Sequence, residues 1–123
     1  MTPINLATRT PGTAIPVGTA PFAIAITPDG STAYVANSGG NTVTRINLAT
    51  GVPGIDIPVG DAPDAIAITP DGSTAYVANY GNANGNGHTV TPINLATGTP
   101  GTAIPVGPGP QGIAITPDGK TAY

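Results

Sequence analysis

Thr2–Gly18 and Thr91–Gly107 carry the same residues except for Arg9 against Gly98, and Ala23–Asn37 returns unchanged as Ala65–Asn79. A third, shorter copy, Gly112–Tyr123, reads GIAITPDGKTAY. A chain this self-similar folds as a row of equivalent units, each burying its apolar faces against its neighbours. Thr2 and Thr44 are 42 residues apart, and Thr44 and Thr91 are 47 apart, the extra five falling after Asn79. Gly (18) and Pro (15) exceed a quarter of the chain, yet only 7% of residues are charged and 39% are hydrophobic. That balance argues against charge-driven disorder and makes Gly and Pro the punctuation between short apolar runs.

Each unit reads as four strands. Ala23–Thr27 has β-branched residues at alternate positions and suits an inner strand A. Thr-Pro-Asp-Gly follows at 27–30, 69–72 and 116–119. Pro presets φ, Asp bonds back to the backbone and Gly accepts positive φ, which closes a hairpin into strand B, Thr32–Asn37. A Gly/Asn loop leads to strand C, Val43–Leu48, and Ala-Thr-Gly (49–51, 96–98) turns into strand D, Ile55–Val59. A period in this range, all β in pattern, predicts the blades of a β-propeller. Pro16, Pro58 and Pro105 fall in strand D, where an outer edge tolerates a missing N–H. Pro3 and Pro92 fall in strand C, so a bulge or an unbonded register is required there. Arg9 stands where the other turns have Gly, at a cost of roughly 1 kcal/mol if φ is positive.

The phase of the repeat divides the chain into 1–18 (strands C and D of a split blade), 19–60 (a complete blade), 61–107 (a complete blade with an insertion at 80–88) and 108–123 (strands A and B of the split blade). Rings usually hold four to eight blades. The ring is therefore expected to be completed by missing repeats or by other copies joining head to tail, six blades in a dimer being favoured over nine in a trimer.

The unit PxAIAITPDGSTAYVAN-loop-NTVTxINLATG resembles the YVTN β-propeller repeat, with Tyr-Val-Ala-Asn at 34–37 and 76–79. The resemblance covers nearly the whole chain and departs from the family at Arg45 and Pro92, where an apolar residue is usual. It implies a propeller, commonly seven-bladed, often in exported or cell-surface proteins of bacteria and archaea. Similar repeats occur in lactonase-like propellers. The resemblance transfers no catalytic residue.

The chemistry legible in the residues is sparse. Arg9, Arg45 and Lys120 are isolated and the net charge is −3, which excludes the basic footprint of nucleic-acid binding. Without Cys there is neither a disulfide nor a thiolate metal site. No apolar run approaches the ~18 residues of a membrane span, and residues 1–10 lack signal-peptide character. Asp29, Asp71 and Asp118 recur inside Pro-Asp-Gly, where turn chemistry explains them. His88 is the only histidine and reads as an exposed loop residue, with no partner for a metal cluster. Asn37 and Asn79 are expected to bond the following loop backbone, and Tyr34, Tyr76 and Tyr123 to pack between blades.

The copies disagree most in two connections. The D–A connection reads Thr19-Ala20-Pro21-Phe22, Asp61-Ala62-Pro63-Asp64 and Pro108-Gly109-Pro110-Gln111, and the B–C loop is Ser38–Asn41 or Tyr80–His88. Both emerge on one rim, where loops on a rigid scaffold carry binding residues. The expected binding rim is Phe22, Asp61, Asp64, Tyr80, Asn82, Asn84, His88 and Gln111. The expected function is a non-enzymatic scaffold or interaction module for a protein or glycan, with no catalytic residue, cofactor or metal. The rivals are a lactonase-like hydrolase using Asp61 and Asp64, and an engineered or consensus-like symmetric array with no activity beyond assembly.

Overall fold

The computed structural model describes every residue except 83–86. Among the described residues the chain is all β: β1 (Ile4–Asn5), β2 (Thr10–Pro11), β3 (Pro21–Ile26), β4 (Thr32–Asn37), β5 (Thr42–Asn47), β6 (Val52–Pro53), β7 (Ile57–Pro58), β8 (Pro63–Ile68), β9 (Thr74–Asn79), β10 (Thr89–Asn94), β11 (Thr99–Pro100) and β12 (Ile104–Pro105). β3, β4 and β5 pair antiparallel in sequence order, as do β8, β9 and β10. These are strands A, B and C of two complete blades. The hairpins are closed by Thr-Pro-Asp-Gly, with φ at +71° for both Gly30 and Gly72.

Strand D differs from expectation. It is not one strand over Ile55–Val59 but two dyads, β6 and β7, which pair with opposite ends of β5. β11 and β12 do the same on β10. The break explains how strand C accommodates proline. In an antiparallel ladder a residue's N–H and C=O point the same way. The Pro92 carbonyl accepts from Gly101 N at 2.8 Å, so its missing donor faces the interrupted outer strand and the bonds to β9 are untouched. Gly54 N to the Arg45 carbonyl (2.7 Å) and Gly12 N to the Pro3 carbonyl (2.8 Å) repeat the arrangement.

The core lies between blades. One face of the first blade, with Tyr34, Ala36, Val43 and Ile57, packs on Ile66, Ala75, Val77, Ile93 and Leu95 of the second. The opposite face, with Ala33, Val35 and Ile46, is covered by Met1, Ile15 and Val17 from the N-terminal segment. β4 is buried along its whole length because it is sandwiched from both sides. In the N-terminal segment β1 pairs only with β2 among the named strands. In residues 112–123 the hairpin keeps the Ile115–Ala122 bridge and the reciprocal Ala114–Tyr123 backbone bonds (2.8 and 2.9 Å). No helix among the described residues is long and apolar enough to cross a membrane.

Candidate functional site: the loop rim

The D–A connection and the B–C loop of each blade run side by side. Ser38 N bonds to the Ala20 carbonyl (2.9 Å) and Gly39 N to that of Thr19 (3.2 Å). In the second blade Tyr80 N and Gly81 N bond to the Ala62 and Asp61 carbonyls (2.9 and 3.0 Å). Both connections therefore share one rim. Ala20 and Ala62 hold φ at +49° and +48°, the left-handed region that disfavours a Cβ, and Gly109 occupies the equivalent position at +63°. The strain lies where the chain folds back along the rim.

Phe22 and Asp64 sit at matching irregularities. The β3–β4 register shifts between Pro21 and Ala23, and the β8–β9 register between Pro63 and Ala65. A bulge re-aims the extra side chain at the end of a strand. Phe22 is 70% exposed there. Asp64 accepts from the Ser38 hydroxyl of the preceding blade at 3.3 Å. Gln111, at the same repeat position, is exposed.

Adjacent blades are stitched together along the rim. Asn41 donates through Nδ2 to Asp61 Oδ1 (3.1 Å) and accepts through Oδ1 from Ala62 N (2.9 Å). Asn82 Nδ2 reaches Asp61 Oδ2 at 2.6 Å. His88 takes the place of Asn41 in the next repeat. Its Nδ1 accepts from Gly109 N at 3.0 Å and lies 3.1 Å from the Tyr80 carbonyl. An atom that accepts from an N–H cannot also donate, so the Gly109 bond requires the Nε2–H tautomer. This corrects the reading of His88 as an exposed loop residue: it is half-buried and ties its own B–C loop to the D–A connection at Gly109. Tyr80 is exposed at its side. Asn84 lies outside the described residues. Asp61, Asn82, Asp64, Tyr80 and His88 thus share the rim of the second blade, whereas Phe22 and Gln111 occupy the same position on other blades.

The three Pro-Asp-Gly carboxylates lie on the opposite rim and hold turns. Asp71 Oδ1 accepts from Thr69 Oγ1 (2.6 Å) and Ser73 N (3.0 Å). The Thr69 hydroxyl bond, then the Ser73 amide, hold its carboxyl below the usual range. Thr27 and then Ser31 act likewise on Asp29, and Thr116 and then Lys120 on Asp118. Among the described residues no group of three or more His, Asp or Glu is placed to hold a metal.

Asn37 and Asn79 depart from expectation. Their amides donate across the sheet to hydroxyls of strand C: Asn37 to Thr42 (3.1 Å) and Thr44 (2.9 Å), Asn79 to Thr89 (3.0 Å) and Thr91 (2.9 Å). Gly18 and Gly60 make room for them, since a Cβ on either would come within 2.6 Å of the Asn Nδ2. No signal within the repeat's own loop pointed to partners on the neighbouring strand.

No family model matches the chain, and no curated protein sequence matches it. Solved structures do. A hydrazine synthase structure from Kuenenia stuttgartiensis is 36% identical over 91% of this chain and 31% of its own, with a TM-score of 0.78. A candidate 6-phosphogluconolactonase from Bacteroides uniformis is 21% identical over 98% of this chain and 38% of its own, with a TM-score of 0.73. The β-propeller domain of Cps50 (Swd1) from Myceliophteria thermophila is 14% identical over 85% of this chain and 30% of its own, with a TM-score of 0.70. The chain spans about a third of the length of each. Blade order, sheet-on-sheet packing and these likenesses establish the fold as that of β-propeller blades.

Proposed function

We propose that the chain is a non-enzymatic interaction scaffold that engages a protein or glycan partner through the rim built by the D–A connections and B–C loops. One observation carries the reading. The two connections that differ most between copies lie on this rim and present Phe22, Tyr80 and Gln111 outward, while the Thr-Pro-Asp-Gly turns of the opposite rim are unchanged. Aromatic and amide side chains on a rigid scaffold suit recognition by stacking and hydrogen bonding. The rival is a lactonase-like hydrolase; the lactonase neighbour, at 21% identity, bears on the fold alone.

The test is binding to arrayed neutral glycans and peptides. A Phe22→Ala/Tyr80→Ala variant is expected to lose at least about tenfold in affinity for any ligand found, the loss of one or two aromatic contacts. A Ser31→Ala variant on the opposite rim is expected to retain it. Lactone hydrolysis above background, abolished by Asp61→Asn or Asp64→Asn, would replace this reading with the hydrolase.

A further inference from the structure

In the C–D half of the repeat, the middle copy departs at four positions where the other two agree. Arg45 stands for Pro3 and Pro92, Val52 for Thr10 and Thr99, Ile55 for Thr13 and Thr102, and Asp56 for Ala14 and Ala103. All four gather at the outer edge of one blade, where β6 and β7 end the sheet and pair with β5 alone among the named strands. This blade has a neighbour packed on each face, so its outer edge faces the perimeter of the propeller. The substitutions open that edge. A Cβ on Gly12 or Gly101 would lie 3.1 Å from the Cγ of Pro3 or Pro92, whereas one on Gly54 would meet nothing nearer than the Arg45 carbonyl oxygen at 3.6 Å. Arg45 lines two hollows here. One, of about 430 Å³, lies toward Val52 and Pro53; the other, of about 380 Å³, lies toward Ile55, Pro58 and the Thr97–Gly98 turn of the next blade. Val52 and Ile55 are 59% and 92% exposed. Arg45 is exposed too, and among the described residues its guanidinium has no hydrogen bond or ion pair. Asp56 turns instead to Thr44, whose hydroxyl donates to Oδ1 at 2.5 Å and accepts from the Asn37 amide at 2.9 Å.

We infer that this edge is a second docking surface, separate from the loop rim, for an extended segment of another protein that carries one carboxylate with an apolar side chain two residues to either side. A carboxylate meets the Arg45 guanidinium through paired, charge-assisted bonds. In an extended chain, side chains at i−2, i and i+2 point the same way, about 6–7 Å apart. The flanking apolar side chains therefore enter the two hollows, against Val52 and Pro53 on one side and Ile55 on the other. Asp56 lines the second hollow and repels a further carboxylate there, which disfavours acidic runs. Pro53 and Pro58 remove donors from the sheet edge, so side chains rather than a main-chain ladder hold the segment. A second copy of this chain is not the occupant. Its Asp29, Asp71 and Asp118 hold turns, and its Asp61 and Asp64 tie adjacent blades together. The net charge of −3 opposes an acidic partner only weakly, because charges farther apart than about 8 Å are screened at physiological salt.

A displayed library of random seven-residue peptides, selected on the intact chain at about 0.15 M salt, tests the surface. The selected pool is expected to carry one Asp or Glu with an apolar residue two positions to either side. Fluorescence anisotropy of a labelled peptide from that pool then compares variants. Arg45→Gln is expected to weaken binding at least about tenfold, the loss of a charged hydrogen-bonded pair. Ile55→Thr is expected to weaken it about fivefold. Arg45→Pro restores the residue that the other two copies carry, and is expected to lose binding with an unchanged far-ultraviolet circular dichroism spectrum. The rim variant Phe22→Ala/Tyr80→Ala is expected to bind like the unaltered chain. A pool without a carboxylate, or with no dissociation constant below about 1 mM, overturns the inference. So does a peptide held equally by folded Arg45→Gln, or one whose own Glu→Gln or Asp→Asn change costs nothing. A peptide lost from the Phe22→Ala/Tyr80→Ala variant but kept by Arg45→Gln lies on the loop rim, and overturns the second surface while leaving the rim reading intact.

Discussion

Arg9 shows what one residue costs in a repeated frame. It holds φ at +59°, where Gly51 and Gly98 hold +68° and +70° in the same turn. The turn itself is intact: Arg9 N bonds to the Asn5 carbonyl at 2.7 Å, and Asn5 Oδ1 accepts from Ala7 N and Thr8 N. The local bonds thus fix the conformation, and the Cβ bears the strain. Arg9→Gly is expected to stabilise the chain by about 1 kcal/mol, less a few tenths for the freer unfolded chain. Urea unfolding of the two proteins measures it; a lower midpoint for the glycine variant would refute the strain. This strain was legible in the sequence because turn chemistry is local, as it was for Asp29, Asp71 and Asp118. The Asn37 and Asn79 amides were not legible, since their partners Thr44 and Thr91 lie on the neighbouring strand and the Gly that admits them lies on another segment.

Strands show the same divide between local and non-local control. Strands A, B and C follow from alternating β-branched residues and the turns between them. Strand D was read as continuous because its apolar residues suggested one run. Pairing broke it, since the carbonyl of residue 45 or 92 bonds a Gly at the gap between the two dyads. His88 belongs to this scale, because its role depends on the connection it clasps. Asn41 performs the same task in the first blade through its amide oxygen. His88→Asn is therefore expected to keep the clasp and change stability little. His88→Ala leaves Gly109 N without its acceptor and is expected to cost about 1 kcal/mol. Thermal unfolding of both variants decides it: equal losses would show that the imidazole contributes packing alone.

For the whole molecule, burial is graded along the array, because each blade is stabilised chiefly by its neighbours. β4 is covered on both sides, by the second blade and by Met1, Ile15 and Val17. β9 is well buried, though Tyr76 and Thr74 remain partly open. β1 and β2 are exposed throughout, and Ala114, Thr121 and Tyr123 of the closing hairpin are exposed despite their backbone bonds. Hydrogen exchange reports this gradient, since the free energy of local opening falls as buried contacts are lost. In dilute solution the β4 and β5 amides are expected to exchange slowest, those of β9 and β10 next, and those of β1, β2 and 112–123 fastest. Mass-detected exchange across peptides from each region measures the order. A flat profile would mean that the array opens as one cooperative unit, and that coupling between blades outweighs the burial at any single one.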